Sequence, residues 1–166
     1  MKNKTMLIGA IDAGKTTLIH ALLGSTTAAL KTQTLHYHQW IVDTPGEYTE
    51  NPLYYKNIMA TALEVTHVLY VQDATTGKSI FPPGFSAGIS KLPIAVVTKS
   101  DAVDSDIERA IQVLKRVMLK GPVVITSAYE QKGINHIKPL VACNTMDEMK
   151  AYVDAQGNAS LQFIGE

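Results

Sequence analysis

The chain has 166 residues, 46% hydrophobic and 18% charged, and its fifteen basic and fifteen acidic side chains cancel. That composition excludes a disordered chain and gives no broad attraction to nucleic acid or anionic lipid, and the length suits one domain burying roughly 70% of its unfolded surface. A single cysteine, Cys143, excludes an internal disulfide and a multi-cysteine zinc site, and no apolar run approaches the length of about eighteen residues that reads as a membrane span. With no signal-type apolar segment near the amino terminus, the expected location is the cytoplasm, away from the membrane.

Met6-Leu-Ile8 is an apolar run that predicts a buried strand over 5–9, and Thr17-Leu-Ile-His-Ala-Leu-Leu23 continues a predicted helix over 15–23, closed by Gly24. Between them stands Gly9-Ala-Ile-Asp12-Ala13-Gly14-Lys15-Thr16, a complete G-x-x-x-x-G-K-T phosphate loop. Gly9 and Gly14 permit turns that a Cβ would block, so successive backbone N–H groups of the segment containing Asp12 and Ala13 converge on one concavity. Lys15 reaches the β- and γ-phosphates, Thr16 offers its hydroxyl to Mg²⁺, and the helix aims its positive end at the phosphates. The bland alternative is a surface turn before a helix.

Two short strands follow, predicted over 34–38 and 40–43, then a helix over 52–63. Asp43-Thr-Pro-Gly46 therefore sits at the carboxyl end of a strand, where open α/β sheets bind ligands. Asp43 can hold Mg²⁺ through water, and the Gly46 N–H can bond a γ-phosphate. Alone, the tetrapeptide is merely a good turn.

Strands are predicted over 67–73 and 93–98, with Pro82, Pro83, Gly84 and Gly88 leaving room between them for only a short helix. Thr98-Lys99-Ser100-Asp101 ends the second of these. An Asp101 carboxylate can accept from both the N1–H and the exocyclic amine of guanine, a donor pair that adenine lacks, while the Lys99 stem lies along the base face. A polar connection with a helix cap is the competing reading. Ile107, Ala110, Ile111, Leu114, Val117 and Met118 predict a helix over 104–119 with Asp104 or Ser105 as N-cap, broken by Gly121-Pro122 before a strand over 123–126. Thr126-Ser127-Ala128 ends that strand, where a backbone N–H at Ser127 or Ala128 can meet the guanine O6. Beyond it, 133–141 suits a helix in which Pro139 fits badly, 146–154 a capped helix after Asn144-Thr145, and 156–160 a loop; the last residues either fray or pair as an edge strand. Apolar strands alternating with helices give an α/β class with a mostly parallel sheet covered on both faces.

These four motifs, in this order from Gly9 to Ala128, resemble the small Ras-like P-loop GTPases. The G-x-x-x-A-G-K-T-T opening, Lys31-Thr32-Gln33, Asp43-Thr-Pro-Gly-Glu-Tyr48 and Gly88-Ile-Ser-Lys91 before Ile94-Ala-Val-Val-Thr-Lys-Ser-Asp101 resemble more closely the ethanolamine and propanediol utilisation family of small GTPase-like proteins. The stretch beyond about Cys143 does not match that pattern. The resemblance implies a GTP/GDP site with Mg²⁺, and an association with bacterial microcompartment pathways. It also implies roles for single residues: Thr17 at the α-phosphate, and Thr32 completing the Mg²⁺ shell when a γ-phosphate is present, with Thr34 as its competitor. Partners, a microcompartment shell or enzyme among them, would meet switch segments near 25–34 and 44–56. Glu47 stands where many Ras-like enzymes carry the glutamine that orients attacking water, so Lys15 and Glu47 are the candidate catalytic residues and slow hydrolysis is the expectation. Glu47 could instead cap a helix starting near Pro52. The family's link to ATP and acetate kinase chemistry keeps a metabolic kinase open, as well as a nucleotide-stabilised scaffold.

Overall fold

The computed structural model describes residues 2–24 and 36–165. The first switch segment expected at 25–34, with Lys31, Thr32, Gln33 and Thr34, lies outside the described residues.

Short, largely apolar runs form every strand but the edge strand β2: β1 (Thr5–Ile8), β2 (His36–His38), β3 (Ile41–Asp43), β4 (His67–Asp73), β5 (Leu92–Thr98), β6 (Gly121–Ile125) and β7 (Leu161–Ile164). They build one sheet in the order β2-β3-β1-β4-β5-β6-β7. The five inner strands are parallel, and β2 and β7 pair antiparallel at the edges. Between them run α1 (Lys15–Leu23), α2 (Glu47–Glu50), α3 (Tyr55–Ala62), α4 (Ile107–Val117), α5 (Ile137–Ala142) and α6 (Met146–Gln156). Strand side chains alternate between faces, so each of the five inner strands feeds two cores. Met6, Ile8, Val68 and Tyr70 pack with Ile58 of α3 and Ile111 and Leu114 of α4. Leu7, Leu69, Val71, Ile94 and Val96 pack on the other face with Leu18 and Ile19 of α1, Ile137 and Leu140 of α5, and Met149 of α6. Burial on both faces is why the inner strands read as unbroken apolar runs.

Several boundaries differ from the sequence expectation, each for a local reason. The helix expected over 52–63 is broken: α2 begins at Glu47, a 3₁₀ turn covers Pro52–Tyr54, and α3 starts at Tyr55. Asn51 is the break, since its extended backbone stops α2 and its side-chain oxygen accepts from the Leu53 N–H at 3.1 Å. The N-cap of α4 is Asp106, not Asp104 or Ser105, accepting from the Arg109 N–H at 3.0 Å. Pro139 does lie in a helix. It occupies the first turn of α5, after a 3₁₀ turn over Ile134–His136, where no intrahelical N–H bond is lost. The open choice at the carboxy terminus resolves as β7, paired with β6 from Gly121↔Ile164 to Val124↔Leu161. The reading of 146–154 as a capped helix holds with a full capping box, Thr145 bonding Glu148 N and the Glu148 carboxylate accepting from Thr145 N.

Candidate functional site

Because β1, β3, β4, β5 and β6 run parallel, the segments leaving their carboxyl ends meet along one rim. The first is the phosphate loop. Asp12 and Gly14 adopt left-handed backbone, φ 66° and 94°, which curls the loop over the start of α1. Gly9 is needed for a close approach: a Cβ there would stand 2.8 Å from the Val71 carbonyl oxygen of β4. Lys15, only 6% exposed, folds back under the loop and donates from Nζ to the Gly9 and Ala10 carbonyls, both at 2.9 Å. Burial lowers its pKa to about 8, against the raising effect of the nearby Asp43, Glu50 and Asp12 carboxylates.

The second segment locks onto the first. Thr16 Oγ1 lies 3.1 Å from Asp43 Oδ2, and that carboxylate is buried at the end of β3. Thr44 donates to the Leu7 carbonyl at 2.6 Å, fixing the Asp43–Gly46 turn against β1. Gly46 is pressed on the phosphate loop so closely that a Cβ would lie 2.5 Å from the Ile11 nitrogen. From α2, Glu50 reaches the same place, its Oε2 accepting from the Ile11 N–H at 2.7 Å. Glu47, the expected catalytic carboxylate, is the exposed first residue of α2, and the cap of the Pro52–Tyr54 turn is Asn51. Tyr48 and Tyr54 stack on each other at 5.5 Å between ring centroids, while Tyr55 packs edge-on against Phe85 at 5.2 Å.

The third segment clamps the loop from the other side. Thr98 donates to the Ala13 carbonyl at 2.6 Å, and Lys99 Nζ bonds the Asp12 carbonyl and Asp73 Oδ2, both at 2.7 Å. Burial pushes the Asp73 carboxyl up, but bonds from Lys99 and Thr75 outweigh it and hold the group below its ordinary value. In the fourth segment, Ser127 Oγ donates to Asp101 Oδ1 at 2.8 Å, fixing the plane of the carboxylate. A cavity of about 250 Å³ is enclosed by Gly14, Thr17 and Leu18 from one end and by Thr98, Lys99, Asp101, Ala102, Thr126, Ala128 and Tyr129 from the other. Loop and Asp101 thus share one cavity.

Sequence reasoning missed three of these participants. Tyr129 is 90% exposed at the cavity mouth, and no pattern marks a lone tyrosine after a strand. Asp73 gives no motif, only its place at a strand end. Glu50 gave no usable signal either, because the four residues of α2 carry no helical period.

Against known proteins, residues 1–143 match the family described as PduV-EutP, ethanolamine utilisation – propanediol utilisation. A relative from Escherichia coli (strain K12) named "Probable acetate kinase EutP" is 32% identical over 143 residues, spanning 85% of this chain and 90% of its own. "Propanediol utilization protein PduV" of Citrobacter freundii is 33% identical over 136 residues, covering 81% and 89%. Among solved structures, the bacterial selenocysteine-specific elongation factor EF-Sec superposes with a TM-score of 0.55 at 23% identity, over 96% of this chain and 30% of that one. That likeness, with the mostly parallel sheet, makes the fold that of the Ras-like P-loop GTPases. The chain belongs to the PduV-EutP family of ethanolamine and propanediol utilisation proteins.

Proposed function

We propose that this chain is a Mg²⁺-dependent GTP-binding protein with slow GTP hydrolysis, serving ethanolamine or propanediol utilisation from the cytoplasm or a microcompartment surface. The observation that carries the reading is the single cavity joining the phosphate-loop helix to an Asp101 carboxylate oriented by Ser127. A base in that cavity would meet Asp101 at its donor edge, with Lys99 along one face and the Ser127–Ala128 N–H groups near its carbonyl. The phosphates would lie over the N-terminus of α1, held by the loop N–H groups of Asp12, Ala13 and Gly14, by Lys15, and by Thr16 and Thr17.

Mg²⁺ suits the donors present: the Thr16 hydroxyl and the Asp43 carboxylate are hard oxygens 3.1 Å apart at a strand end. Bound with the phosphates, it supplies charge neutralisation. Asp43 is buried and fixed by its neighbours, so it orients the Thr16 hydroxyl, while Lys15 places its charge beside the terminal phosphates. Hydrolysis adds a water oxygen to the γ-phosphorus as the bond to the β–γ bridging oxygen breaks. The chain brings little to that step. Its two arginines, Arg109 and Arg116, both sit on α4, and the carboxylate where a water-orienting glutamine would stand, Glu47, points to solvent.

A second reading, phosphoryl transfer from ATP to acetate, is favoured by relatives from Escherichia coli and Salmonella typhimurium that are each named a probable acetate kinase. The test is competition of GTP against ATP for the pure protein, with and without acetate, following phosphate release and acetyl phosphate together. GTP preference with slow, acetate-independent phosphate release supports the first reading. ATP preference with acetyl phosphate formed in step with acetate overturns it.

A further inference from the structure

Glu50 performs none of the usual tasks of a residue ending a short helix. Its carboxylate leaves α2 and crosses to the phosphate loop, thirty-nine residues away in sequence, to accept from the Ile11 N–H at 2.7 Å. That is the length of a charge-assisted bond. Its charge also bears on the Lys15 ammonium. A helix of four residues does not hold itself in place, so α2 is seated by its contacts: this bond and the Gly46 backbone against Ile11 on the loop side, the buried Thr49 and the core-packed Tyr48 on the other.

Direction along the loop decides what Glu50 faces. The base cavity is lined by Gly14 and Thr17, at the α1 end of the loop, and neither Ile11 nor Glu50 lines it. A nucleotide extending from that cavity across the start of α1 brings its terminal phosphate toward the Ile11 end. There it meets a carboxylate already seated on a loop N–H, in a neighbourhood holding Asp43, Glu50 and Asp12 around one lysine. A diphosphate ends short of that point.

We propose that the Glu50 carboxylate is a resident substitute for a ligand's terminal phosphate, displaced by nucleoside triphosphates but not by diphosphates, so that Glu50 sets the preference between them. The inference rests on the loop binding nucleotide as argued above. Displacement breaks the Ile11 bond and moves like charges apart, freeing α2 from the loop. Diphosphate leaves both in place.

Calorimetric titration of the full chain with GDP and with a non-hydrolysable GTP analogue tests this in the wild type, Glu50→Gln and Glu50→Ala. Both variants should raise the triphosphate-to-diphosphate affinity ratio about ten-fold, the effect of removing one charged competitor. Misfolding only weakens binding and shifts both ligands together, so it cannot produce that change. Nucleotide binding with an unaltered ratio overturns the role of Glu50 and leaves the nucleotide reading standing. A wild type that binds neither ligand overturns both.

Discussion

Lys15 is charged in solution at every ordinary pH, yet the fold buries it under its own loop, and the site's behaviour with pH follows from that conflict. Its ordinary pKa of 10.5 falls to about 8 in the folded chain. Between those values the unfolded chain binds more protons than the folded one, so stability without ligand rises with pH from about 8 toward 10.5. Below pH 8 the burden of the buried ammonium is fully present, and a shift of this size corresponds to about 3 kcal/mol. Phosphate binding works oppositely, because a bound phosphate favours the ammonium. Nucleotide affinity should be level below pH 8, then weaken as Lys15 deprotonates, up to ten-fold per pH unit. Titrations in buffers of different ionisation enthalpy should show proton uptake on binding above pH 8. Constant affinity from pH 7 to 9.5 would mean that Lys15 does not meet the phosphates.

Among the elements, α2 is tied to the phosphate loop at both ends, by Gly46 and by Glu50. Gly46 has ordinary helical backbone, φ −57°, so alanine there suffers no torsional strain; the obstacle is the Ile11 backbone within 2.6 Å of the new methyl. Gly46→Ala should cost about 1–3 kcal/mol in denaturant unfolding and leave the Ile11 amide unprotected in hydrogen exchange. Wild-type stability with a protected Ile11 amide would show that α2 seats by other contacts. The same element explains what the sequence hid. Helix α4 was legible because Ile107, Ala110, Ile111 and Leu114 repeat at helical spacing, whereas four residues of α2 carry no period. The residues at its two ends that meet Ile11, Gly46 and Glu50, make a contact that is local in space and distant in sequence. Pro139 misled for a different reason: a proline excludes a helix only beyond the first turn, and a 3₁₀ turn ahead of α5 moved that first turn to it.

At the scale of the molecule, five parallel strands bring four separated motifs to one rim, and this much could be read from motif order. Each motif stands at the carboxyl end of an apolar run, and parallel pairing puts those ends together. What the sequence could not yield were the cross-links between motifs, such as Lys99 to Asp12 and Asp73, or Glu50 to Ile11, because either partner alone has an innocent reading. The family match ends at residue 143, where the expected resemblance also stops, and α6 with β7 complete the sheet edge beyond it. Guanine selection by Asp101 is the claim on which the rest depends, and competition binding of GTP against XTP to wild type and Asp101→Asn tests it most directly. The wild type should prefer GTP. In the variant the amide N–H donates to the xanthine C2 carbonyl, so the order should reverse; an Asp101→Asn protein that still prefers GTP would contradict the account.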